Sequence, residues 1–244
     1  MRLKIWLKIL LRIKEWVLSL IYPERCILCD AVVGGDAVCE NCKDKLRLTE
    51  NERVCKKCSR PVGEDAVLCP DCLVRPRYFT ASFAAAVYND ELRSSVIRFK
   101  FNKRPDYHRG YARIMLAHLR SLDSLPVIDA VIGVPLSKER YRERGYHQAT
   151  LIAKEVAKGL GLPVFKNVLK KIRHTPAQSS LPREARLENL RGAFCVFKKE
   201  KIKDKTILLI DDVFTTGSTA DEISKTLLRA GAKEVYVAAF SVTP

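Results

Sequence analysis

The stretch ILLIDDVFTTGSTADE, residues 207–222, decides the fold. Four apolar residues, Ile207 to Ile210, run directly into two carboxylates, Asp211 and Asp212. A short apolar run of this kind reads as a strand buried on both faces. Thr215-Thr216-Gly217-Ser218-Thr219 follows, and a helical pattern begins just after it. That order puts the acids at the carboxyl end of a strand, where open α/β sheets bind ligands. The free N–H groups and dipole of the new helix make a phosphate cradle, which Gly217 lets a ligand approach closely. Two carboxylates beside a phosphate would repel it unless they face another part of the same ligand. A ribose 5-phosphate meets that condition: its 2- and 3-hydroxyls donate to the acids while the phosphate sits in the turn. No G-x-x-x-x-G-K-[ST] sequence is present, which excludes a P-loop nucleotidase.

Outward from this stretch, strands alternate with helices. Residues 81–88, 128–136, 193–197 and 206–210 and the final EVYVAAF run read as strands. ELRSSVIRFKF, YARIMLAHLRSL, ATLIAKEVAKGLG and ADEISKTLLRAGA read as amphipathic helices. The expected class is α/β, a mostly parallel sheet with helices on both faces.

Eight of the nine cysteines form C-x-x-C pairs: Cys26/Cys29, Cys39/Cys42, Cys55/Cys58 and Cys69/Cys72. Four thiolates close the tetrahedral shell of one Zn²⁺, so the pairs supply two structural sites with no open position for chemistry. Sequential pairing and a cross-braced pairing both fit the spacing. The segment holds too few large apolar residues for a core of its own, so metal binding supplies its folding energy. Reduced thiolates point to the cytoplasm. The expected division is a helix over residues 1–22, a double zinc ribbon over 23–76 and an α/β domain over 77–244.

In the first segment Lys8, Arg12 and Lys14 interrupt the apolar run, which suits neither a secretory signal nor a membrane span. Two readings stay open: a helix docked on the protein, or one lying on the inner face of the cytoplasmic membrane. The formal charge of +16 points to phosphates, nucleic acid or an anionic surface.

Residues 207–220, GVPLSKERYRERGYHQA (133–149) and RHTPAQSSLPREARLENLRGAF (173–194), together with the cysteine-rich start, resemble the ComF family of competence proteins, with a GntX-like branch close by. The match covers almost the whole chain from Cys26. It implies a type I phosphoribosyltransferase fold that binds 5-phosphoribosyl 1-pyrophosphate (PRPP) with Mg²⁺. Asp211 and Asp212 would bind the ribose as the catalytic acids, and Thr215, Thr216, Gly217, Ser218 and Thr219 the 5-phosphate. Pro135, Leu136 and Ser137 would form the pyrophosphate loop, followed by Arg140, Arg142, Arg144, Gly145 and Gln148. Residues 173–186, with Arg173, Gln178, Arg183 and Arg186, would form a mobile flap. Purine-salvage relatives carry a carboxylate four residues after the first acid, where this chain has Thr215. That departure puts purine salvage in doubt.

Two functions are carried forward. One is transfer of ribosyl 5-phosphate from PRPP to a nitrogen nucleophile, with pyrophosphate leaving. The other, implied by the resemblance, is service in natural transformation, handling single-stranded DNA alongside other competence and DNA-processing proteins. Between Lys166 and Lys205 there are 12 basic and 4 acidic residues, a suitable strand-binding surface, with Phe194 and Phe197 as its aromatics.

Overall fold

A computed structural model of the chain describes residue 6, residues 23–173 and residues 190–244. The segment expected as a helix over 1–22 lies outside the described residues apart from Trp6, and so do Gln178, Arg183 and Arg186.

The main sheet is parallel throughout, in the order β1 (Ser82–Val87), β6 (Glu234–Val242), β5 (Thr206–Phe214), β2 (Ala130–Gly133). Val164 extends its edge by a parallel bridge to Val131. The helices are α1 (Pro70–Val74), α2 (Asp90–Phe101), α3 (Tyr107–Ser121), α4 (Lys138–Arg144), α5 (Gln148–Leu160) and α6 (Ser218–Arg229). Period-two alternation sorts β5 between two cores: Ile207 and Leu209 enter one, Leu208 and Ile210 the other. The first core takes Ile223 and Leu227 from α6. The second takes Phe99 of α2, Tyr111 of α3, and Ile152 and Val156 of α5.

Each cysteine set joins one of these cores. Cys26, Ile27, Leu28 and Cys42 pack into the second core, whereas Cys55, Cys58 and Cys69 pack into the first. The first ribbon sits on α3 closely enough that a Cβ at Gly110 would lie 2.6 Å from Ile27 Cγ2. Polar contacts fix the same seam. Tyr107 Oη donates to Asp30 Oδ1 at 2.7 Å, Arg104 bridges Asp30 and Asp106, and Arg98 donates to the Leu28 carbonyl. Arg104 and the Tyr107 hydroxyl outweigh burial and hold the Asp30 carboxyl below its ordinary range.

Several elements differ from the sequence reading. β5 continues through both acids to Phe214 because residues 211–214 keep their register with β6, Asp211 opposite Ala239 and Phe214 opposite Val242. β2 is shorter than the expected 128–136, since Val134 to Leu136 turn away toward α4. The strand expected at 193–197 is β4 (Phe194–Val196), and it pairs antiparallel with β3 (Leu169–Lys171) in a separate two-stranded sheet. The stretch leading to the arginines folds as α4, capped by Ser137.

Gly110→Val is expected to cost about 1–3 kcal/mol in chemical denaturation, the range for an overpacked contact. Pairing it with Ile27→Ala should recover part of that loss. An unchanged midpoint for Gly110→Val would mean that the first ribbon is not seated on α3.

Candidate functional site

Because β5 remains a strand through the acids, Asp211 follows the side of Leu209 and Asp212 that of Ile210. α2 covers the latter side, and its Lys100 Nζ reaches Asp212 Oδ1 at 2.9 Å, with 20% and 9% of the two side chains exposed. Removing one partner from a pair so shielded leaves an uncompensated charge, at about 3–5 kcal/mol. Asp211 is half-buried with one side on a cavity. Burial first, and then the charge of Asp212, push its carboxyl up to about 7 against the pull of Lys100 and Arg144.

The turn after the strand is built on Gly217, in the left-handed region at φ 73°. A Cβ there would lie 2.5 Å from Cζ of the Phe214 ring, so backbone and packing both demand glycine. Phe79 packs edge-on against Phe214 with centroids 5.8 Å apart, tying the turn to the core. Thr216 Oγ1 and Ser218 Oγ hydrogen-bond at 2.8 Å where α6 begins, and the first N–H groups of that helix have no intrahelical acceptor.

Opposite this turn, Ser137 caps α4 by accepting the Arg140 N–H at 3.4 Å. Arg140 and Arg144 share one helical face at i,i+4 spacing. Arg144 is buried, donates from Nη1 to Gln148 Oε1 at 3.1 Å and lies 5.0 Å from the Phe101 ring centroid. Arg144 Nε and Gln148 Nε2 are buried donors with no hydrogen-bond partner among the described residues, a setting that suits an anion.

These parts enclose one cavity of about 990 Å³ at the carboxyl end of the sheet. Asp211, Asp212, Thr215, Thr216, Gly217 and Thr219 line one wall, and Pro135, Leu136, Ser137, Arg140, Arg144 and Gln148 the other. Ser218 is buried behind the turn, Arg142 is exposed outside the wall, and Arg173 Nη2 donates to the Arg191 carbonyl at 2.7 Å, also outside it. Four cations that the sequence analysis left unnamed also line the cavity: Arg60, Arg93, Lys100 and Lys171. Burial, with Arg140 and Arg173 nearby, brings the Lys171 ammonium down to about 8. Lys100 had a weak signal, its place in the basic last turn of a helix. Arg60 had none, since nothing in a zinc-ribbon pattern points to a cavity so far along the chain.

The cysteines gather as Cys26/Cys29/Cys39/Cys42 and Cys55/Cys58/Cys69/Cys72, which settles the pairing as sequential. Cys29 Sγ to Cys39 Sγ and Cys58 Sγ to Cys69 Sγ are both 3.6 Å, close to the roughly 3.8 Å edge of a tetrahedron with Zn–S near 2.3 Å. Burial and neighbouring sulfurs push the Cys42 thiol up to about 12 and burial pushes Cys72 up to about 11, whereas backbone N–H groups outweigh burial at Cys26 and Cys55 and bring both down to about 7. Four thiolates therefore share so small a space only around a dication. Both sets fit structural zinc.

Comparison with known proteins agrees with this geometry. Residues 17–73 match the double zinc ribbon domain and residues 147–241 the phosphoribosyl transferase domain. Competence protein F of Haemophilus influenzae is 30% identical over 219 residues, covering 87% of this chain and 94% of that protein. The chain belongs to the ComF family.

Within the similar proteins, the DNA utilization protein YhgH of Salmonella typhi is 30% identical, covering 88% of this ComF chain and 95% of the relative. Competence protein ComFC of Bacillus subtilis is 29% identical, covering 89% and 93%. Among solved structures, the glutamine PRPP amidotransferase from B. subtilis is 22% identical with a TM-score of 0.39, covering 59% of this chain and 30% of that one. The two domain matches and the parallel sheet give the ComF chain a type I phosphoribosyltransferase fold with a zinc-ribbon start. No helix among its described residues is long and apolar enough to cross a membrane.

Two outcomes follow from this geometry. Purified protein should carry two zinc ions per chain by mass spectrometry, and Cys58→Ser should lose one and become insoluble; a folded, metal-free wild type would contradict the assignment. Asp211 has a folded-state pKa raised above the ordinary value of about 3.9. The folded form then keeps a proton that the unfolded form has released, so this group lowers stability as pH rises from about 4 to 7. The thermal midpoint of Asp211→Asn, relative to wild type, should climb through that window and level off above it. A constant difference would show that Asp211 titrates normally.

Proposed function

We propose that this chain is a ComF-type competence protein that binds PRPP and acts on single-stranded DNA during natural transformation. One observation carries the PRPP reading: a single cavity unites an acid pair, a glycine-hydroxyl turn opening a helix, and a facing pair of arginines. Its walls suit the three parts of PRPP separately. The acids accept hydrogen bonds from the ribose hydroxyls, and the turn and α6 hold the 5-phosphate. The pyrophosphate lies toward Arg140 and Arg144, with Mg²⁺ entering as part of that ligand and neutralising its charge. Lys100 pairs with Asp212 at 2.9 Å and steadies its side chain at the cavity wall. Asp211 holds its proton longer and can donate as well as accept near neutral pH.

The DNA side of the reading is supported by the relatives, a competence protein and a DNA utilization protein, and by the positive charge around β3 and β4. Phe197 is 55% exposed there, with Lys170 Nζ 4.6 Å from its ring centroid, which offers a base a stacking surface beside a cation. Thiolate-held zinc suits the reducing cytoplasm. A second reading, Mg²⁺-dependent transfer to a nitrogen nucleophile, is favoured by the size of the cavity. At about 990 Å³ it stands at the top of the ~300–1,000 Å³ range for small-ligand sites, leaving space for an acceptor beside the sugar.

Calorimetry with Mg²⁺ and PRPP tests the site. Wild type should bind, ribose 5-phosphate should bind more weakly, and Asp212→Ala should lose at least about tenfold in affinity, as expected for a charge-assisted hydrogen bond. No response at millimolar PRPP would leave only the DNA reading. Binding of single-stranded DNA should be insensitive to sequence and fall steeply with salt. An affinity that barely changes between 50 and 200 mM salt, both within the range in which counterion release acts, would exclude the basic surface.

A further inference from the structure

Arg60 stands two residues beyond Cys58, and its carbonyl closes the second knuckle by accepting the Cys55 N–H at 2.8 Å. Its guanidinium leaves the ribbon altogether. Nη1 donates to Asp71 Oδ2 at 2.7 Å, Nε to the Thr243 carbonyl at 3.1 Å and Nη2 to the Thr215 carbonyl at 2.8 Å. Asp71 lies between the ligands Cys69 and Cys72. Thr243 Oγ1 also donates to the Thr215 carbonyl at 3.3 Å, and the Thr243 N–H to the Phe214 carbonyl at 3.0 Å. The arginine and Asp71 side chains are only 15% and 20% exposed.

We infer that Arg60 is a positioning residue for the phosphate turn, through which the second cysteine site sets the shape of the cradle. The inference rests on the PRPP reading of that turn. A trans peptide is planar, so a carbonyl drawn toward Arg60 sends the N–H of the next residue, Thr216, the opposite way. Fixing the Thr215–Thr216 plane therefore fixes a donor of the turn. The chain of support is continuous: the cysteine set holds Asp71, Asp71 holds the guanidinium, and the guanidinium holds both carbonyls. A planar fork with several donors makes these bonds at once, and a lysine ammonium does not reproduce them. Phe79, just beyond the ribbon, packs on Phe214 beneath Gly217 and supports the same turn by apolar contact. Ligand binding and zinc retention at the second site become linked equilibria, each strengthening the other.

Hydrogen exchange of the ligand-free protein tests the positioning directly, alongside PRPP calorimetry and zinc analysis. Arg60→Ala should keep two zinc ions per chain. Exchange across residues 214–220 should rise by about tenfold or more, as for loss of charge-assisted bonds, and PRPP affinity should fall by a similar factor. Arg60→Lys should behave like the alanine variant. Asp71→Ala, which cuts the guanidinium from the ribbon but leaves it in place, should loosen the same peptide to a smaller degree, and it serves as the test if Arg60→Ala fails to fold. Unchanged exchange at 214–220 in folded, zinc-loaded variants overturns the inference, whatever happens to PRPP. Lost PRPP affinity with unchanged exchange makes Arg60 a ligand contact instead and also overturns it, as does full rescue by lysine. If wild type fails to bind PRPP while exchange responds, the PRPP reading falls and the positioning role stands.

Discussion

A parallel sheet has to be covered on both faces, because its strands expose apolar side chains in both directions. Here the chain covers one face with α2, α3 and α5, and the other mainly with α6 and the β3–β4 pair. The ribbons complete both. Neither could bury a core of its own, so each borrows the sheet's core and contributes sulfur and a few apolar side chains in return. The metal sites are thereby part of the folding of the whole molecule rather than of an appendage.

That sharing has a consequence for the cavity. The first ribbon clamps α2 and α3 through Arg98, Arg104 and Tyr107, and α2 is the helix that delivers Lys100 to Asp212. The second ribbon holds the turn after β5 through Arg60. Two sides of the site are therefore braced by segments that carry none of the residues expected to touch the sugar. Loops that hold ligands ordinarily belong to the least stable parts of a fold. Bracing from a metal-closed knuckle is one way to keep such a loop in shape without a larger core.

The acid pair is accommodated by geometry and by charge together. Period-two alternation sends the two carboxylates toward opposite faces of the strand, although both line the one cavity. Lys100 neutralises Asp212, and Asp211 carries the remaining electrostatic cost as a raised pKa.

By itself the sequence determined the α/β class, the strand-turn-helix at 207–222 and the eight thiolates that supply two four-cysteine sites. These are local: apolar runs, helical periodicity and C-x-x-C spacing reflect the physics of neighbours in the chain. Most of the cavity wall was legible for the same reason, because Asp211 to Thr219 and Pro135 to Arg144 each lie within one short segment. Only the tertiary structure decided the rest. Sequential cysteine pairing depended on which knuckles meet in space. The extension of β5 through the acids depended on its register with β6, and the separation of β4 from the main sheet on a partner, β3, too short to carry a pattern. Lys100 and Arg60 were out of reach for the strongest reason. Lys100 is 112 residues from Asp212 and Arg60 is 155 residues from Thr215, and no local pattern encodes a contact between segments brought together only when both faces of the sheet are covered.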